Sequence, residues 1–239
     1  SDKHDKLFGL GEINASLAKV EADTLRRMPS FTWIDDKTGY FTAGHKVYLY
    51  NISSKQLREL NSFPEEASNT DLQPNTFAVA YTMGNNLHVA FEGRQVQVTN
   101  DKDPGIVNGQ TVHRNEFGIS GGTFWSPRGN YLAFYRKDER MVTNYPLVDI
   151  DTRIATLDNI KYPMAGMASH EVTLGIYDVS TGKVSFIDTG EPADQYLTCV
   201  TWDPGEQYVY IAILDREQDH TKLNKYDISS GELVKTLFE

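Results

Sequence analysis

The chain of 239 residues has little of what several protein classes require. Its one cysteine, Cys199, cannot form an intramolecular disulfide. Because Cys199 stands in the apolar segment YLTCVTW, we expect it to be a small buried hydrophobic residue. No apolar run approaches the roughly 18 residues of a membrane-spanning helix. These shortages exclude a disulfide framework and give no indication of a membrane span.

Basic residues are also few. The chain has 23 Lys and Arg against 33 Asp and Glu, a net charge of −10, and its basic residues are scattered along the sequence. A surface that binds nucleic acid needs clustered Lys and Arg to neutralise phosphates. We therefore expect no nucleic-acid partner.

Common catalytic motifs are missing as well. The sequence has no Gly-x-Ser-x-Gly nucleophile turn, no GxxxxGK[ST] phosphate loop and no HExxH helix. Its histidines are far apart, and none has a second His or Cys at a metal-ligand spacing. We expect no catalytic residue, no metal and no cofactor, and we expect each histidine to be a surface or strand residue: His4, His45, His88, His113, His170 and His220.

What the chain does have is internal repetition. Three stretches are imperfect copies of one hairpin: LYNISSKQLREL at 49–60, IYDVSTGKVSFI at 176–187 and KYDISSGELVKT at 225–236. Upstream of each lies a second recurring unit, in which Trp, a polar turn and an alternating strand follow one another: TWIDDKTGYFTA, FWSPRGNYLAFY and TWDPGEQYVYIA. Each unit supplies two strands, so a pair of units predicts a four-stranded antiparallel blade.

Blades of this kind stack radially into a β-propeller, because one blade alone cannot bury both of its faces. A weaker copy, which we interpret as three strands, begins at residue 72. The predicted fold class is therefore all-β, a partial propeller with blades at roughly 31–61, 72–100, 120–189 and 196–238. A weak helical period at 12–28 predicts a leader over 1–30 that is partly helical, followed by one propeller domain over 31–239.

An unusual polar run, GIVNGQTVHRNEFGISGG at 105–122, precedes the Trp unit of the third blade. Its glycines and crowded polar groups are typical of a loop. From the residues alone, Glu116 in this run would be a solvated loop carboxylate.

From about residue 105 onward the chain resembles the N-terminal propeller of the dipeptidyl peptidase IV family of serine exopeptidases. The resemblance depends on the order of four segments: VHRNEFGISGGTFWSPRGNYLAFYRKDE, then YPLVD, then KYPMAGMASHEVTLGIYDVSTGK, then QYLTCVTWDPGEQYVYI. It implies about four blades of an expected eight, and a C-terminal α/β-hydrolase domain, not contained in these residues, that carries the catalytic Ser, Asp and His. This chain alone would then be inactive as a peptidase.

The resemblance also implies a site. In the family, an acidic motif of the propeller binds the free amino terminus of a peptide substrate that has proline near that end. Alignment on the Trp strand places the motif on Arg114, Asn115 and Glu116, of which only Glu116 is acidic. A single glutamate favours removal of tripeptides over removal of dipeptides, and both alternatives stay open.

The stretch 137–166 interrupts the third blade and is either a long solvated loop or an arm. Its alternating segment TRIATL and the resemblance favour an arm that makes a homodimer contact. The resemblance further implies an exported protein, periplasmic or associated with the cell envelope. The alternative to a peptidase propeller is an autonomous scaffold that binds glycans or proteins.

Overall fold

The computed structural model describes residues 7–239, so the first six residues of the predicted leader, and His4 with them, lie outside the described residues. The leader contains one helix, α1 (Leu10–Lys19), which is shorter than the predicted helical period. The carboxylate of Glu12 accepts a hydrogen bond from the backbone N–H of Gly9 and caps the start of the helix. Ile13 and Leu17 of α1 are buried against the first β-sheet. No helix within residues 7–239 is long and apolar enough to cross a membrane.

The rest of the described chain is built mainly from antiparallel strands in four large sheets and one small one. The first sheet contains β1 (Thr32–Trp33), β2 (Thr38–Ala43), β3 (Lys46–Asn51) and β4 (Gln56–Ser62). The second contains β5 (Ser68–Leu72), β6 (Val79–Met83), β7 (Asn86–Phe91) and β8 (Arg94–Gln97). The third begins with β9 (Ile106–Asn108), β10 (Thr123–Trp125) and β11 (Tyr131–Asp138).

The chain then leaves the third sheet to form a separate two-stranded sheet, β12 (Asn144–Asp149) and β13 (Thr156–Lys161). It returns to the third sheet as β14 (Glu171–Asp178) and β15 (Val184–Phe186). The fourth sheet contains β16 (Tyr196–Trp202), β17 (Tyr208–Leu214), β18 (Thr221–Asp227) and β19 (Leu233–Phe238). The four large sheets are blades of a β-propeller that does not close into a ring, which confirms the predicted fold class.

The repeated hairpin has a simple physical basis. In each copy the acidic or amide side chain at the start of the turn accepts hydrogen bonds from the backbone N–H groups two and three residues later, which is an Asx turn. The three acceptors are Asn51, Asp178 and Asp227. The tyrosine before each acceptor is buried in the blade: Tyr50, Tyr177 and Tyr226. The motif therefore encodes both the turn and the core residue beside it.

The repeated tryptophan joins one blade to the blade before it. The indole N–H of Trp125 donates to the backbone oxygen of Asp71 in the second sheet, at 3.1 Å. The indole N–H of Trp202 donates to the backbone oxygen of Phe124 in the third sheet, at 2.9 Å. Trp33, in the first sheet, instead packs against Phe31 with ring centroids 4.8 Å apart and is 44% exposed.

Buried polar side chains make further connections between neighbouring blades. The amide of Asn61 donates to the backbone oxygens of Phe77 and Ala90, and so joins the first sheet to the second. The carboxylate of Glu206, in the turn between β16 and β17, accepts hydrogen bonds from Arg128 and Asn130 beside the third sheet. These contacts set the relative positions of the blades.

Two details of the strand assignment differ from the sequence analysis. The second blade has four strands, because β5 precedes the three that the pattern indicated. The polar run before the third blade is only partly a loop, since β9 within it pairs with β11. Neither short strand has the apolar alternation that would reveal it, because β5 is SNTDL and β9 is fully buried.

The prediction for Cys199 was wrong, since its side chain is exposed. Alternation along β16 from the buried Leu197 would place Cys199 inside the blade. A β-bulge between Thr198 and Thr201 shifts the alternation by one residue, so Val200 is buried instead. Cys199 lies in the bulge with a φ of +52°.

Candidate functional site

The three residues predicted to bind an amino terminus lie in a short turn after β9. Residues His113–Asn115 form a 3-10 turn, and Glu116 follows directly. The φ angles of His113, Arg114 and Asn115 are +49°, +56° and +63°, so the turn is left-handed. Each such residue costs about 1–3 kcal/mol of backbone strain, and strain of this kind concentrates at functional sites.

The turn is held in this conformation by its neighbours. Val112 and Ile119 on either side of it are buried in the core shared by the third and fourth blades. The hydroxyl of Thr111 donates a hydrogen bond to the side-chain oxygen of Asn115. The backbone N–H of Ile119 donates to the backbone oxygen of Glu116, at 3.0 Å. The position of Glu116 is therefore set by core packing and by local hydrogen bonds.

A cavity of about 320 Å³ opens beside this turn. Its wall combines residues of the turn, of the segment after β13, of the start of β16 and of the loop after β17. The charged and aromatic residues that line it are His113, Arg114, Glu116, Lys137, Glu139, Lys161, Tyr162, His170, Tyr196 and Arg216. Parts of the chain about 100 residues apart in sequence thus meet at one site.

The predicted site residues differ in what they contact. Glu116 lines the cavity, its side chain is exposed, and no residue within 7–239 forms an ion pair or side-chain hydrogen bond with its carboxylate. The guanidinium of Arg114 lies 4.8 Å from the ring centroid of Tyr162. Asn115 is exposed and is not among the lining residues. Of the three, Glu116 is the one that lines the cavity with an unpaired carboxylate.

One wall of the cavity is built around Tyr196, which the sequence analysis did not single out. The rings of His113 and Phe117 pack against Tyr196, each with centroids 4.7 Å apart. The guanidinium of Arg216 donates to the hydroxyl of Tyr196 and lies 5.5 Å from its ring centroid. The sequence did contain a signal, because Tyr162 and Tyr196 both belong to segments that carry the family resemblance.

Each histidine was predicted to be a surface or strand residue, and for His113 this was wrong. His113 is buried, and its Nδ1 lies 3.0 Å from Nε2 of His170. The fold brings them together because His113 follows β9 and His170 precedes β14, both strands of the third sheet. No group of three His, Cys, Asp or Glu side chains in the described part of the chain could hold a metal ion.

The histidine pair is uncharged at neutral pH. Burial, the neighbouring histidine and the charges of Arg216 and Lys137 lower the pKa of His113 to about 3. Burial and the charge of Lys137 lower the pKa of His170 to about 4. The charges of Arg216 and Lys137 thus act in the same direction as burial, and the charge of Glu139 opposes them at His170.

A pH dependence of stability follows from these values. Below the unfolded pKa of about 6.5 the unfolded chain binds protons that the native pair does not, so stability falls as the pH decreases from about 6.5 toward 4. Each histidine should contribute a loss of about 2 kcal/mol by pH 5. Urea unfolding at pH 7.5 and pH 5 measures this. The double variant His113→Gln/His170→Gln should show a smaller difference; an unchanged difference would assign the loss to other groups.

Comparison with known proteins supplies the family. A family model for the dipeptidyl peptidase IV N-terminal region matches residues 36–239. The chain belongs to this family. Among curated proteins, a Sordaria macrospora protein named dipeptidyl-aminopeptidase B is similar to this dipeptidyl peptidase IV N-terminal region. The two are 30% identical over 228 residues, which is 85% of this chain and 24% of the relative.

Two further similar proteins have related names. A Talaromyces stipitatus protein, also named dipeptidyl-aminopeptidase B, is 30% identical over 94% of this chain and 29% of its own length. A solved structure from Bacteroides ovatus, named as a dipeptidyl aminopeptidase IV, is 43% identical, with a TM-score of 0.88 over 98% of this chain and 33% of that chain. The present dipeptidyl peptidase IV N-terminal region therefore spans about a quarter to a third of the relatives that it matches.

A solved dipeptidyl peptidase 4 from Porphyromonas gingivalis shares the fold, with 22% identity and a TM-score of 0.69. The structural match covers 88% of this chain and 30% of the Porphyromonas gingivalis chain.

Proposed function

We propose that this dipeptidyl peptidase IV N-terminal region is the non-catalytic propeller of a serine exopeptidase, where it binds the free amino terminus of a peptide and controls entry to the catalytic domain. The observation that carries the proposal is the unpaired carboxylate of Glu116 on the wall of a 320 Å³ cavity. The larger size of the similar proteins, and their names, support a further domain that does the chemistry.

A carboxylate that binds the amino terminus can fix the distance from that terminus to the cleaved bond. A carboxylate opposite an ammonium forms a charge-assisted hydrogen bond that neutral groups cannot replace. Because the turn that carries Glu116 is held by core packing, the bound amino terminus would lie at a fixed distance from a catalytic serine. A fixed distance selects peptides by the number of residues before the cleaved bond.

The unpaired Glu116 is compatible with either dipeptidyl or tripeptidyl cleavage. Arg114 would weaken the binding of an ammonium if its charge were close to Glu116, and its stacking on Tyr162 directs that charge along another wall of the cavity. Ala-Pro and Ala-Ala-Pro anilides, compared by kcat/KM, distinguish the two specificities. Dipeptidyl specificity should make the Ala-Pro anilide react faster, and tripeptidyl specificity should make the Ala-Ala-Pro anilide react faster.

Blocking the substrate's amino group tests the proposal itself. In the full-length protein that contains this chain, N-acetylation of the preferred anilide should lower kcat/KM by about tenfold or more, because the ammonium that pairs with Glu116 is lost. Cleavage of anilides is followed by absorbance. Equal cleavage of free and acetylated substrates would contradict amino-terminus recognition, and a full-length protein that cleaves neither would contradict the exopeptidase assignment.

We also propose that the arm, defined as β12, β13 and their connection, makes a contact between two copies of the protein. All six residues of β12 are exposed, and Val148 lies directly opposite the exposed Leu157 of β13. Ile150 and Ile154, at the tip, are about 80% exposed. An apolar surface of this kind on an acidic protein favours burial against an identical surface.

The variant Leu157→Lys should convert a dimer of the full-length protein into a monomer, because a lysine cannot be buried there without a partner. Asp158→Lys, which adds a lysine at the next position and on the opposite face of the arm, is the matched control and should stay dimeric. Sedimentation velocity measures both. Monomeric wild-type protein, or a dimeric Leu157→Lys variant, would exclude the arm as the dimer contact.

Export to the periplasm or cell envelope stays a prediction from the resemblance.

A further inference from the structure

We propose that the cavity beside Glu116 prefers substrates whose first residue has an acidic side chain. In this assignment Glu116 binds the α-ammonium group, and the cationic side chains of the same cavity bind the side-chain carboxylate. The inference rests on the proposed function, since it concerns the specificity of that same site.

The wall of the cavity carries an excess of positive charge. Four cationic side chains and two carboxylates line the cavity. Lys137 is neutralised by Glu139, with 2.6 Å between Nζ and Oε2. The remaining three cations, Arg114, Lys161 and Arg216, form no ion pair with any residue in 7–239. Against the single charge of Glu116 they leave an excess of two positive charges, in a chain whose net charge is −10.

Neighbouring groups hold these three cations in place. Arg114 lies over the ring of Tyr162, and Arg216 lies beside Tyr196 and donates to its hydroxyl. The Nζ atom of Lys161 donates to the backbone oxygen of Val142, at 2.8 Å. Each cation thus has a partner that fixes its position and leaves its charge uncompensated.

The histidine pair lines the same cavity. His113 and His170 remain neutral at pH 7, in part because Arg216 and Lys137 disfavour their protonation. They therefore add no charge to the cavity.

These features identify the ligand by its chemistry. A first residue with an uncharged side chain brings only an ammonium, which Glu116 attracts and the three cations repel. Glutamate or aspartate as the first residue brings an ammonium and a carboxylate separated by a few bonds, and so matches both signs of charge. The α-carboxylate of a very short peptide has the same chemistry, and substrates that end in an anilide remove that source.

The experiment uses isosteric pairs. The kcat/KM values of the full-length protein are measured for Glu-Pro and Gln-Pro anilides, or for Glu-Ala-Pro and Gln-Ala-Pro anilides if tripeptides are preferred. Because the members of a pair differ in charge and hardly in shape, their ratio isolates the carboxylate. We expect Glu to exceed Gln by about tenfold at low salt, as for one charge-assisted hydrogen bond. The ratio should fall as the salt concentration rises.

Arg216→Gln should bring the ratio of the Glu to the Gln substrate close to one. Lys235→Gln, which removes one positive charge from the exposed edge strand β19, is the matched control and should leave the ratio unchanged. A wild-type ratio of one or less, or a ratio that Arg216→Gln does not alter, would overturn the inference.

The outcome is separable from that of the proposed function. Loss of cleavage on acetylation together with a ratio of one would keep amino-terminus recognition and reject the acidic preference. If neither anilide is cleaved, calorimetric binding of Glu-Pro amide and Gln-Pro amide to the same protein gives the ratio directly, and equal affinities would reject the inference.

Discussion

Replacing Glu206 by alanine should lower the free energy of unfolding by about 2–4 kcal/mol, the largest stability effect that we expect from a single site. Glu206 is 4% exposed and lies in the turn between β16 and β17. Its Oε1 accepts from the backbone N–H of Arg128 at 2.5 Å, and its Oε2 accepts from the amide of Asn130 at 2.6 Å. Alanine would leave both donors without a partner at the junction of two blades.

The measurement is urea unfolding followed by tryptophan fluorescence, since the indole of Trp202 bonds across the same junction. Glu206→Gln retains one acceptor oxygen and the side-chain volume, so its loss should be smaller than that of Glu206→Ala. Glu232→Ala, at an exposed position of the same blade, should change stability by less than about 0.5 kcal/mol. If Glu206→Ala behaved like Glu232→Ala, water would be replacing the carboxylate.

Glu116→Ala should reduce kcat/KM of the full-length protein for a free amino-terminal substrate by about tenfold or more, because a charge-assisted hydrogen bond is worth about 1.5–3 kcal/mol. Folding should be nearly unaffected, since the side chain is exposed and has no partner within residues 7–239. Anilide hydrolysis measures the first effect and urea unfolding the second.

The control is the acetylated substrate. Wild-type protein and Glu116→Ala should cleave it at similar rates, because it has no ammonium for the carboxylate to bind. Glu116→Gln should lie between the two for the free substrate, since an amide oxygen can accept the hydrogen bond without the charge. A Glu116→Ala variant with unchanged kinetics on the free substrate would mean that Glu116 is an ordinary loop residue.

The blades could be predicted from the sequence because their signals are local. An Asn or Asp that begins a turn bonds to N–H groups two and three residues later, and the tyrosine before it is buried in the same blade. The alternation of strands such as YVYIAIL of β17 also lies within a few residues. Short strands without alternation, β5 and β9, gave no such signal and were missed.

The candidate site was only partly predictable. Glu116, Asn115 and Arg114 were named through the resemblance to a family, and no local pattern distinguishes the free carboxylate of Glu116 from that of any other loop residue. Tyr196 and Arg216 are about 80 and 100 residues further along the chain and reach the cavity because the third and fourth blades are neighbours. A local sequence pattern cannot show that residues so far apart in the chain lie close together.

The sequence by itself determined that this protein is an all-β repeat chain of propeller blades, since turn chemistry, alternation and the spacing of tryptophans act over a few residues. Only the tertiary structure decided which groups meet. It exposed Cys199 through a bulge, paired His113 with His170, left Glu116 unpaired and gathered Arg114, Lys161 and Arg216 around one cavity. The reason is that burial and electrostatic potential at a site depend on every segment packed around it, and those segments are distant in sequence.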